Sequence, residues 1–148
     1  MTMNSGLLTS TSDAWTTPLA FFYELRKIYD FEFDAACTKE NCLCKKGFYF
    51  DQGMDALVEE WPKGPWIFCN PPYGTKIKHF VRKAFQQWQA GARIVMLIPS
   101  RTDTSWFHDY ILGKARIQFI RGRLRFGDSQ NSAPFPSMVV IYDHPERQ

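Results

Sequence analysis

The stretch Trp66-Ile67-Phe68-Cys69-Asn70-Pro71-Pro72-Tyr73 decides how the rest of the chain is read. Its first four residues are a compact apolar run bounded by turn signals, as a short buried strand is. Pro71 and Pro72 end it, because proline brings no amide to a strand ladder and locks φ. A side-chain amide, Asn70, is left at the carboxyl end of that strand. The plain account is a rigid turn, for which two prolines followed by Tyr73-Gly74 suffice. The other is a loop stiffened so that its polar acceptors stand ready for a ligand.

Reading outward toward the carboxyl terminus, residues 77–90 place Ile77, Phe80, Val81, Ala84, Phe85 and Trp88 on one helical face, and Gly91 stops the run. Residues 93–98 form an aliphatic strand broken by Pro99. A second helix is expected over 104–112, then strands at 117–120 and 138–142, joined by a basic turn and the loop 127–136. Toward the amino terminus, residues 1–12 are polar and read as a mobile end, which leaves 13–148 as a single domain. Thr17 is expected to cap a helix that Pro18 opens and that runs through Tyr29. Residues 31–36 alternate and then turn small, as a short strand does. Residues 37–53 carry no clear pattern, and 55–60 are expected to form a short helix stopped by Trp61-Pro62.

Strands alternating with helices predict an α/β fold, a compact and mostly parallel sheet with helices on both faces. Little chain separates Asp34 from Asn70, so some elements are expected to be reduced. In such sheets ligands bind at the carboxyl ends of the strands, where the loops after Phe33 and Cys69 meet.

At 148 residues and 45% apolar composition, the chain supports one core of ordinary size. It shows no secretory signal and no membrane-length apolar run, so a cytoplasmic protein without a membrane partner is expected. The net charge of +3 permits a polyanionic partner without requiring one, and the placement of charge matters more than its sum. Four cysteines in a reducing compartment are expected to be thiols. Cys37, Cys42 and Cys44 cluster, but they lack the paired knuckles of zinc ribbons and no histidine follows at ligand distance, so no metal site is expected. His79, His108 and His144 read as ordinary core or surface histidines.

The loop at Asn70 matches the needs of one reaction. An exocyclic amino nitrogen of adenine is a poor nucleophile, because its lone pair is delocalised into the ring. The Asn70 amide oxygen and the Pro71 carbonyl can accept its hydrogens, Pro72 stiffens the loop, and Tyr73 offers a ring on which an extruded base stacks. The motif resembles that of amino-methyltransferases, and the chain is similar to the compact phage-type DNA N6-adenine methyltransferases (Dam). The resemblance extends through 13–18, 31–36, 66–74, 97–104, 121–126 and 133–137.

That resemblance implies a Rossmann-like methyltransferase fold, S-adenosyl-L-methionine as methyl donor and double-stranded DNA as partner. It implies Asn70, Pro71, Pro72 and Tyr73 as the catalytic loop. Trp15, Thr17 and Pro18 then contact the methionine end of the donor, Asp34 and Ala35 line its site after the first strand, and Asp55 reads its adenine. The bland counterparts are a helix cap at Thr17, an ordinary turn at Asp34 and a cap at Asp55. The usual Gly-rich turn after the first strand is absent here, replaced by Phe33-Asp34-Ala35-Ala36-Cys37.

Arg121, Arg123 and Arg125 alternate with Gly122 and Leu124, which on a strand projects all three to one side, suited to a DNA backbone. Arg101, beyond the strand ending at Pro99, joins them as a DNA contact or pairs with Asp103 on the surface. The resemblance points to GATC as target sequence. Methylation of a protein glutamine amide and a silent DNA-binding module are the two competing readings.

Overall fold

The computed structural model describes residues 16–126 and 133–145; the expected mobile end at 1–12 and Trp15 lie outside the described residues. In chain order the elements are α1 (Leu19–Ile28), β1 (Phe31–Cys37), β2 (Lys46–Tyr49), β3 (Trp66–Cys69), α2 (Ile77–Gln89), β4 (Arg93–Pro99), α3 (Ser105–Tyr110), β5 (Arg116–Phe119) and β6 (Ser137–Tyr142). Single 3-10 turns occupy Phe50–Gln52 and Gly74–Lys76.

The strands form one sheet in the order β2-β1-β3-β4-β6-β5. β1 pairs in parallel with β2 and with β3, and β3 with β4. β6 lies between β4 and β5 and runs antiparallel to both. The sheet is therefore mixed, and the expectation of a mostly parallel one holds only in part. The reason lies in the connections. Parallel neighbours need a crossover such as α2, which links β3 to β4, whereas antiparallel neighbours do not. The described residues between β5 and β6 contain no helix.

Register partners share a face of a sheet, and consecutive residues alternate. Ile67, Ile94 and Tyr142 are partners on one face. α2 and α3 cover it: Phe85 and Trp88 lie with ring centroids 6.4 and 5.3 Å from Tyr142, whose hydroxyl donates to the Tyr110 carbonyl. Phe68, Val95 and Ile141 face the other way. There Phe22 of α1 meets Phe68 edge-on at 5.1 Å and stacks on Phe31 at 5.5 Å. Helices thus cover both faces. No helix among the described residues is long and apolar enough to cross a membrane.

Two segments depart from expectation. The unpatterned stretch 37–53 contains β2, and Gly47 within it is a close-approach residue. A Cβ there would lie 2.6 Å from the Asp34 carbonyl oxygen of the neighbouring strand, so no larger side chain fits. Residues 55–60 form turns instead of a helix. The Ala56 carbonyl, which a helix would pair with the amide of residue 60, instead accepts the indole N–H of Trp61 at 2.8 Å.

Trp61 is 1% exposed and ties this loop to α2, since its backbone amide donates to Gln87 Oε1 at 2.8 Å. Gln87 in turn donates to Glu60 Oε2 at 2.9 Å. Trp61→Phe deletes the indole donor and leaves a buried carbonyl short of its partner. It is expected to lower unfolding stability by about 1–3 kcal/mol, read as an earlier urea midpoint with an unchanged slope.

Candidate active site at the carboxyl edge of the sheet

After β1 the chain steps to one side to form β2, and β3 lies on the other side of β1, followed by β4. The loops leaving β1 and β3 therefore diverge and open a crevice between them. Asp34 of β1 is the register partner of Phe68, two residues before Asn70. The carboxyl end of β1 and the Asn70 loop consequently adjoin. β4 and β5 both run opposite to β6, so their carboxyl ends reach the same edge.

Asn70 is half-buried and held from two sides. Its Nδ2 donates to Thr17 Oγ1 at 2.9 Å, and its Oδ1 lies 2.8 Å from the Tyr73 hydroxyl. That hydroxyl is also 3.1 Å from the Leu97 carbonyl, so its one proton is shared between two acceptors. Burial pushes the Tyr73 phenol pKa well up, and the group stays a protonated donor. Thr17 does not act as the expected helix cap. Pro18 occupies the cap position of α1 without a side-chain bond, and the buried Thr17 hydroxyl is committed to Asn70. A contact across 53 residues of sequence is invisible to local pattern.

The Tyr73 ring is 3% exposed and meets Phe135 edge-on at 5.5 Å and Phe126 at 6.2 Å. Its face is covered in this structure. Pro71 is buried and Pro72 half-buried.

Asp34 is 3% exposed, and burial pushes its carboxyl pKa up to about 7, opposed by two backbone amides. Ala36 donates to Oδ1 at 3.1 Å and Leu43 to Oδ2 at 3.4 Å. These bonds give the turn after β1 its shape without glycine. Ala35 is 1% exposed and belongs to the core, while the half-buried Ala36 shares the Asp34 side of the strand.

Two clefts elsewhere, one around Trp88, Lys114 and Arg116 and one around Leu57, His79 and Arg82, include neither Asn70 nor Asp34. The candidate site is the carboxyl edge of the sheet, where the fixed Asn70 amide and the buried Asp34 carboxyl belong to neighbouring strands and their loops.

A family model for DNA N-6-adenine-methyltransferase (Dam) matches residues 4–146. The chain belongs to the Dam family. It is 33% identical over 113 residues to a DNA N-6-adenine-methyltransferase of Escherichia phage T1. The match covers 76% of this chain and 46% of that relative, so the chain spans about half the length of the Dam protein it matches.

The remaining residues expected to serve a Dam site are dispersed differently. Asp55 is exposed and accepts the Leu57 amide at 2.9 Å, which makes it a turn cap in the loop before β3. Arg101 is exposed just beyond β4. Arg121, Arg123 and Arg125 are exposed beyond β5, but the strand on which they were to alternate is not formed. Gly122 has φ +75, a left-handed conformation that ends extended pairing. Arg123 donates to the Ala133 carbonyl at 3.4 Å. Since Phe126 reaches Tyr73, the arginine segment is nevertheless brought to the Asn70 loop. The buried hydroxyls of Ser100 and Ser137, at the same edge of β4 and β6, have no hydrogen-bond partner among the described residues and no signal in the sequence.

Proposed function

We propose that this chain transfers a methyl group from S-adenosyl-L-methionine to the exocyclic amino nitrogen of adenine in double-stranded DNA. The observation that carries the reading is the Asn70 amide pinned by Thr17 and Tyr73 at the carboxyl end of β3. Membership of the Dam family and the printed activity of the phage T1 relative support it. The donor supplies an electrophilic methyl on a sulfonium centre.

The protein's share is orientation. The Asn70 oxygen and the Pro71 carbonyl accept the two amino hydrogens, which turns the nitrogen lone pair out of the ring and toward the donor. Rigid acceptors cost no reorganisation as the bond forms, and Pro72 supplies that rigidity. Asp34 shapes the donor side by holding the turn at Ala36 and Leu43, and the family resemblance assigns Trp15, Thr17 and Pro18 to the donor's methionine end. Arg101, Arg121, Arg123 and Arg125 contact phosphates, and the base leaves the duplex to reach the crevice. Tyr73 serves first through its hydroxyl and offers its ring face once Phe126 and Phe135 yield.

Thr17→Val removes the acceptor that orients Asn70 at nearly constant shape. kcat is expected to fall about tenfold, with the KM for DNA unchanged. Full turnover in this variant would take Thr17 out of the positioning role.

The deciding experiment incubates the protein with donor and duplexes that contain adenine inside and outside GATC, followed by nucleoside mass spectrometry. N6-methyladenine is the expected product, formed in GATC duplexes first. Methyl label on protein glutamine alone, or donor and DNA binding without any product, would replace this proposal by one of its two rivals.

A further inference from the structure

The end of β1 and the segment after it bring together Asp34, which the methyl-transfer reading places on the donor side, and two thiols that it does not use. One carboxylate oxygen of Asp34 and the sulfurs of Cys37 and Cys42 all lie within 4.8 Å of one another. On a regular strand, residues three apart point to opposite faces. Here the pairing of β1 with β2 shifts register between Asp34 and Cys37, and such an irregularity re-aims a side chain. Cys42 returns to the same spot because residues 38–41 form a closed turn. In it the Thr38 amide donates to Asn41 Oδ1 at 2.7 Å and the Asn41 amide to Thr38 Oγ1 at 3.1 Å.

Gly47 of β2 forms the back wall. A Cβ there would stand 2.7 Å from the Cys37 sulfur and 2.9 Å from the Cys42 sulfur, so both thiols press against bare backbone. Asp34 and Cys37 are each 3% exposed, and Cys42 is half-buried, which leaves the cluster one open side.

We propose that Asp34, Cys37 and Cys42 form a binding site for one zinc-class divalent cation that staples the end of β1 to the loop following it. Two thiolates and a carboxylate are a borderline-soft donor set, of the kind that selects zinc over magnesium or calcium. With bonds of about 2.3 Å to sulfur and 2.0 Å to oxygen, tetrahedral ligand atoms stand roughly 3.5–3.8 Å apart. From separations of up to 4.8 Å, the observed cluster needs to contract by at most about 1.3 Å. A water or the thiol of Cys44, two residues past Cys42, takes the fourth position.

The present partners of the thiols are weak ones. Cys37 Sγ lies 3.7 and 3.8 Å from the carbonyls of Asp34 and Phe48, and Cys42 Sγ lies 3.6 Å from that of Lys46. Binding releases the two thiol protons, and any proton on the Asp34 carboxyl, to solvent, and the cation's charge offsets most of the negative charge left behind. Thiol spacing alone argues against a zinc site. The carboxylate that completes the set comes from the strand, where spacing rules do not look.

The test is a cobalt(II) titration of the reduced, chelator-treated wild-type protein, with zinc back-titration and elemental analysis of the protein as purified. Thiolate-to-cobalt charge-transfer absorption is expected to saturate at about one metal per chain and to be displaced by zinc. The Cys37→Ser/Cys42→Ser double variant should lose that absorption, while Cys69→Ser, a thiol outside the cluster, keeps it. An unsaturable wild-type titration overturns the site, whatever the variants do. So does absorption that survives in the double variant. None of these readouts depends on methyl transfer, so failure here leaves the proposed reaction standing.

Discussion

Replacing Asn70 by alanine is expected to lower the rate of methyl transfer by about a hundred- to a thousandfold while the protein stays folded. The magnitude is that of deleting one preorganised polar group aimed at a reacting centre. The variant loses the amide oxygen that accepts an amino hydrogen and also the two bonds that hold the loop, those to Thr17 and Tyr73. Since Asn70 is only half-buried, truncation leaves no closed cavity, and the stability cost should stay near about 1 kcal/mol. Single-turnover kinetics with saturating donor and duplex separates the chemical step from binding. Donor and DNA affinities should move by no more than a few fold. Wild-type single-turnover rates would mean that the chemistry sits elsewhere on the chain.

The second large effect concerns the core beneath that loop. Phe22 is wholly buried, stacks on Phe31 of β1 and meets Phe68 of β3 edge-on. It thus touches the strand that carries Asp34 and the strand that leads into Asn70. Phe22→Ala is expected to cost about 3–5 kcal/mol, the sum of lost transfer energy and the cavity left behind. Against a typical total of about 5–15 kcal/mol, this places the variant near the limit of folding. Urea unfolding at constant slope reads the loss directly. Leu19→Ala on the exposed side of the same helix should change stability by less than about 0.5 kcal/mol. A Phe22 loss as small as that of Leu19 would show that α1 does not pin the two strands.

Elements with strong period were legible before any coordinates. The amphipathic spacing from Ile77 onward yields α2 almost to the residue, and the aliphatic run from Arg93 yields β4. The apolar tetrad before Asn70 yields β3, because a fully buried strand needs no alternation. Three failures have physical causes. β2 begins Lys-Gly-Phe-Tyr, and glycine argues against a strand unless a neighbour's backbone demands the space, as Asp34 does at Gly47. Local capping chemistry pointed Thr17 at its own helix, while a partner 53 residues away took the hydroxyl. The Tyr73 ring reads as open because Phe126 and Phe135, which cover it, arrive from the far end of the chain. In each case a tertiary contact outbid a local preference.

The placement of β6 between β4 and β5 carries a consequence for synthesis. β5 leaves the ribosome before β6, the strand it pairs with, and until residues 137–142 emerge β4 presents a bare lateral edge. A nascent chain halted in that interval exposes Val95, Leu97 and their neighbours to any complementary strand nearby. Holding chaperones should therefore act longest on chains that have emerged past residue 120 but not past 136, and release them once the last strand wedges in.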